Sequence, residues 1–567
     1  MGAVRTLADS YLLHLCTLDP IRATYLGVPG FDGELPDFSP TGSAERADLA
    51  RRTVAALASL PTEDDDAGDR RCRALILDRL SLEVDQFDAQ EHLRPLRVIG
   101  SPIGTIRSAF DMMPRSTEDD WMNVAARLEQ VPGAYRTVQL ALEAGHEAGV
   151  FAAPRQALAC ADQLATWAGI DDAARADAAR PWFERYAENG PDSLRRRLDH
   201  AATMATSSLA ELAGWLREVY APAAAGTPDG VGSERYALGM RTFLGSRTDA
   251  EEAYSWAWDE LVRIEDEMAS LAEAVLPGAS IDDAMSHLDA HGEAIEGEDA
   301  LQRWLQDLMD ETVAALDGTH FDLAPPLRTV EAMIAPPGTA AAQYYTAPTA
   351  DFSRPGRTWY PTMGRSRFPI WNEISTCYHE GVPGHHLQLA QWVYVTPELS
   401  RFQSGTMISG NIEGWALYAE RLMDELGFLS DPGARLGYLV AQQLRAARVI
   451  VDTGMHLSLA IPGGQPFHSG ERWTAELGRE FLGLHAGKDV AFLDSEWVRY
   501  LGWPGQAISY KLGERVWLAG RSEAQRRAAL AGTTFDPRVW HMAALSMGST
   551  GLDDLAAELP LLPSMKL

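Results

Sequence analysis

Apolar side chains return at helical intervals along almost the whole of this 567-residue chain, and short alternating strand patterns are scarce. That period commits the chain to a mainly α fold of many helices. Residues 44–60, 67–89, 117–131, 134–149, 153–168, 192–220 and 248–275 each read as helix, with breaks at Pro61-Thr62, Pro132-Gly133 and Pro191. The stretch from Pro222 to Gly230 (PAAAGTPDG) reads as a linker. It predicts a two-lobed architecture, with an N-terminal helical lobe over 1–221 and a second helical lobe over 233–567. One region departs from the helical period. Gln343–Pro348 and Arg357–Pro361 are aromatic and β-branched runs flanking Asp351–Gly356, which predicts a β-hairpin or small sheet. Its edge would suit an extended peptide added as a strand, or the sheet would simply cap the helices.

The octapeptide His379-Glu380-Gly381-Val382-Pro383-Gly384-His385-His386 interrupts a stretch that otherwise reads as helix. A proline inside a helix costs ~3 kcal/mol and a glycine ~1 kcal/mol relative to alanine. A segment that breaks its helix while gathering three imidazoles and a carboxylate needs a compensating gain, and a bound divalent metal supplies one. The octapeptide is a variant of the zinc-peptidase pattern H-E-x-x-H with two or three residues added before the second histidine. On a regular helix His385, six residues on, points away from His379. His386, seven on, shares its face but lies ~10 Å up the axis. The Pro-Gly pair must therefore form a bulge or kink. Two looped-out residues make His385 the second ligand, and three make His386. Glu380, beside the first ligand, is placed to act as general base.

A catalytic zinc needs three protein ligands. Glu413, which opens Glu413-Gly414-Trp415-Ala416-Leu417-Tyr418-Ala419-Glu420, is the candidate third. Glu420, seven residues on and on the same face, would orient a ligand histidine from behind. Tyr438, Gln442, Arg445, Arg448, Asp452 and His456 step by three and four along another helix as a polar stripe among apolar neighbours. Arg445, Arg448 and, further on, Arg499 are candidates to grip a substrate carboxylate, and Tyr510 to steady an oxyanion.

Composition narrows the partners. Forty-nine basic against 80 acidic residues leave a net charge of -31, which repels phosphate backbones and argues against nucleic acid. Cys16, Cys72, Cys160 and Cys377 show no C-x-x-C spacing and read as reduced thiols. No run approaches the ~18 apolar residues of a membrane span, and the segment after Met1 has no apolar signal core. A cytoplasmic protein with no membrane partner is the expectation.

The octapeptide with Leu387-Gln388, the Glu413–Glu420 segment and Pro504-Gly505-Gln506-Ala507 together resemble the bacterial family called domain of unknown function 885. The resemblance extends to Asp19-Pro20 through Leu26-Gly27 and so spans most of the chain. It implies a largely helical fold and a metallopeptidase-like site. A more distant similarity is to zinc peptidases of the thimet-oligopeptidase and angiotensin-converting-enzyme type. There a glutamate some two dozen residues past the second histidine completes the site, and a tyrosine-rich segment lies near the C-terminus. Glu413 and Tyr510 are the matching positions; the longer histidine spacing is the departure. The expectation is a zinc hydrolase that cleaves short peptides. The alternatives are a zinc hydrolase of non-peptide amides and a helical binding protein that retains the fold without the chemistry.

Overall fold

The computed structural model of the chain describes residues 2–170, 180–336, 342–485 and 490–565. Helices dominate both of its compact units. The first unit comprises 1–65, 76–238 and 495–503, and the second 66–75, 239–494 and 504–567. The division falls between Leu238 and Gly239 rather than at Pro222–Gly230. The reason is packing, since Tyr220, Ala221 and Ala224 are buried in the first unit's own core.

That core is built by the Glu118–Ala148, Pro154–Ala168 and Arg195–Trp215 helices. Sequence reading breaks the first of these at Pro132-Gly133, but the structure carries it straight through Pro132. Val124, Leu128, Val131, Tyr135, Val138 and Leu142 are buried on both sides of the proline. At roughly 1.5–3 kcal/mol per buried apolar side chain, they outweigh the ~3 kcal/mol cost of an internal proline. Thr117 and Asp120 close a capping box at its start. The other helix readings match to within a few residues; the 192–220 reading, for example, spans Arg195–Trp215 and a π-helical turn at Leu216–Tyr220.

In the second unit two helix pairs frame the functional region. Ala250–Val275 packs along Pro432–Leu457, and Ser409–Glu425 along Ser509–Leu530. The latter pair meets backbone to backbone. A Cβ on Gly414 would lie 2.4 Å from the Gly513 Cα, so no other residue fits there. The strands are β1 (Ala294–Glu296), β2 (Val330–Ile334), β3 (Tyr344–Thr346), β4 (Gly356–Tyr360) and β5 (Arg367–Pro369). β1 pairs antiparallel with β5. The expected hairpin is β3 antiparallel to β4, and β2 joins β4 in parallel to give the order β2-β4-β3. β2 escaped sequence reading because it is short and its far edge is finished by side chains. Gln302 Nε2 donates to the Ala332 carbonyl, and Gln306 bonds both the Val330 carbonyl and the Ala332 amide. Among the described residues no helix is long and apolar enough to cross a membrane.

Candidate metal centre

The octapeptide does not form a bulge within one helix. It divides two: Glu373–Glu380 ends at the general-base candidate, and His385–Tyr394 begins at the second histidine. Gly381 to Gly384 lie between them, with a cis Val382–Pro383 peptide. The loop is closed by Gly384 N–H donating to the Tyr378 carbonyl and His386 N–H to the Gly381 carbonyl. A Cβ on Gly384 would sit 1.9 Å from the His379 carbonyl oxygen, so this turn requires glycine. From the Ser409–Glu425 helix, the Trp415 indole N–H lies 3.0 Å from both the Pro383 and Gly384 carbonyl oxygens. Three consecutive residues of that helix thus face three tasks. Glu413 faces the histidines, Gly414 admits the neighbouring helix, and Trp415 holds the loop.

This fold brings His379, His385 and Glu413 together, with one ligand atom from each within 4.8 Å of the others. Glu413 Oε2 stands 3.4 Å from His379 Nε2 and 3.6 Å from His385 Nε2. The same carboxylate oxygen is buried and makes no hydrogen bond. Two imidazole nitrogens and one carboxylate oxygen converging on a spot that none of them fills is a donor set that fits zinc. His379 Nδ1 donates to Glu420 Oε1 over 2.7 Å, which directs Nε2 toward the other two ligand atoms. Glu420 also accepts from the Ser375 hydroxyl. Sequence reading passed over Ser375, although it lies four residues before His379 and therefore on the same helix face.

Burial works against a charged His379, but the carboxylates of Glu413 and Glu420 outweigh it and hold the imidazole up at about 9. Burial pushes His385 down to about 4, so it is a neutral imidazole at pH 7. Glu413 is held down at about 2 against its own burial, chiefly by His379. Burial pushes Glu380 up to about 7, opposed by His379 and reinforced by Glu413.

His386, the other possible second ligand, is turned elsewhere. Its Nε2–H donates to the Leu327 carbonyl at 2.9 Å, and its Nδ1 stands 3.0 Å from the Tyr345 hydroxyl of β3. Both ring nitrogens face protein partners, which corrects its inclusion among the ligands. Arg445 is not free to serve substrate alone: its Nη1 is 3.3 Å from Glu420 Oε1. Arg448 is buried, and both guanidiniums lie over the Tyr510 ring, at 5.8 Å for Arg445 and 5.0 Å for Arg448. Arg499 belongs to the first unit, where it pairs with Glu496 and lies over Tyr500.

A family profile described as "Bacterial protein of unknown function (DUF885)" matches residues 20–559. The chain belongs to this family. Two solved structures share its fold. A candidate lipoprotein from Colwellia psychrerythraea is 21% identical, covers 98% of both chains and superposes with a TM-score of 0.81. A candidate lipoprotein of unknown function from Shewanella oneidensis is 18% identical, covers 98% of this chain and 99% of that one, with a TM-score of 0.75. None of the curated proteins compared matches the chain significantly.

Proposed function

We propose that this protein is a zinc-dependent hydrolase that cleaves short peptides. The observation that carries the reading is the convergence of His379 Nε2, His385 Nε2 and the unbonded Glu413 Oε2 beside a buried Glu380. Bound there by those three residues, zinc would act as a Lewis acid toward the scissile carbonyl and its attacking water. Glu380, held near 7 by burial, takes the proton of the attacking water and later passes it to the leaving amine. Tyr510, under two guanidiniums, donates toward the oxygen that gains charge. Arg448 attracts the substrate carboxylate. β3 is the margin of its sheet opposite the glutamine-finished one, and it aligns an extended peptide by main-chain pairing.

The four buried cysteines form no disulfide among the described residues, which favours a reducing compartment, and we place the protein in the cytoplasm. The solved relatives carry the name lipoprotein, so cell fractionation is the check: recovery in the membrane fraction would move it there.

The activity is tested by elemental analysis of protein purified without chelator, followed by digestion of a synthetic peptide library. One zinc per chain and cleavage that disappears in His385→Ala are expected. Trace zinc with no uptake on adding the metal would overturn the reading.

A further inference from the structure

We propose that Arg445 is a positioning residue that ties the His379–Glu420 pair to Tyr510, and not a receptor for substrate. This deepens the zinc reading and rests on it. Arg445 projects from the Pro432–Leu457 helix with its side chain only 14% exposed. One guanidinium addresses three groups on three other elements. Nη1 pairs ionically with Glu420 Oε1 at 3.3 Å without a hydrogen bond, Nη2 comes within 3.3 Å of His379 Nδ1, whose proton is committed to Glu420, and the central carbon lies 5.8 Å from the Tyr510 ring centroid.

A guanidinium is planar and its donors leave it in a fixed fork. With one arm in charge contact with Glu420 and the guanidinium carbon over the Tyr510 ring, the same rigid group borders both. Glu420 is 1% exposed, and its other polar contacts are the Ser375 hydroxyl and His379. Without the fork the carboxylate can rotate about its last bond and carry the His379 ring with it. The residue that aims His379 Nε2 and the residue that would meet the developing oxyanion are thus referenced to one side chain. A lysine cannot substitute fully, because a single ammonium reaches Glu420 or the ring face but not both in a fixed relation.

Arg445→Met and Arg445→Lys test this through zinc affinity measured by competition with a chromogenic chelator. Residues that orient a metal-binding histidine typically contribute ~10–100-fold to affinity, and Arg445→Met should lose that much, with Arg445→Lys between it and the parent. In a Glu420→Gln background the Arg445→Met loss should largely vanish, because the two act through one contact. Turnover should fall while KM changes equally for peptides with free and amidated C-termini. If the methionine variant does not fold, the lysine variant carries the same measurement. Parental zinc affinity in the folded variants would overturn the proposal, as would a KM rise confined to peptides with a free carboxylate. A parent protein that takes up no zinc would instead overturn the metal reading beneath it.

Discussion

The second unit buries two clusters of opposite charge, and they are built on different plans. Around Lys511 the charges close on one another. Its ammonium, 1% exposed, donates to Glu260 and Gln442 at 2.8 Å and to Glu514 at 2.5 Å. Around His379 Nε2, on the side away from Glu420, the groups stop short. Glu413 Oε2 is 3.4 Å and 3.6 Å from the two imidazole nitrogens and bonds neither. A cluster that pairs internally fixes helices; one whose donor atoms converge without meeting is shaped for something else. Burial is common to both, so burial alone identifies neither.

The sharpest way to break this contrast is chemical. Glu380→Gln keeps shape and zinc but removes the proton acceptor, and hydrolysis of a confirmed peptide should fall by ~10²–10⁴-fold. Parental turnover would remove Glu380 from the mechanism. Lys511→Met addresses the opposite side. Taking one partner from a buried ion pair costs ~3–5 kcal/mol, so a large drop in the denaturation midpoint is expected. Zinc affinity should stay near the parent's; a loss of zinc binding without destabilisation would erase the distinction between the clusters.

Smaller effects refine it. His386→Ala strips the Leu327 carbonyl and the Tyr345 hydroxyl of a buried partner, at ~1–3 kcal/mol. Its zinc titration should nonetheless stay close to parental, whereas His385→Ala should lose the metal. A further effect is a slope with pH. Burial tends to raise Glu260, but Arg263 and Lys511 outweigh it and hold the carboxyl down at about 2. A folded pKa below the ordinary 4.5 means that its stabilisation is complete above that pH and fades as pH falls toward 2. Glu260→Gln should flatten the stability curve over that window, measured by denaturant midpoints; an unchanged slope would mean the pair contributes no pH-linked stability.

Much of the architecture was legible in the sequence, because helical period and capping chemistry are local. The 67–89 reading, for one, falls within a residue of Ala67–Asp88. Pro132 misled for the same reason: its local cost is visible, while the core contacts that offset it come from distant helices. At the site, the relevant residue types were visible in the His379–His386 and Glu413–Glu420 segments. Spacing could not separate His385 from His386, since that depends on Leu327 and Tyr345, 59 and 41 residues before His386. Nor could a polar stripe reveal that Arg445 faces Glu420 while Arg448 lies nearer the Tyr510 ring.

The loop from Gly381 to Gly384 has a consequence for how the ligands are spaced. In an unbroken helix the separation of two histidines is dictated by helical pitch. Here the two histidines ride on separate helices, and their loop hangs from the indole of Trp415, two residues from Glu413. The Ser409–Glu425 helix therefore works as a surveyor's datum, carrying one candidate ligand and fixing the stations of the other two. The spacing of the three candidate ligands becomes a matter of tertiary packing, adjustable through one aromatic side chain outside the set.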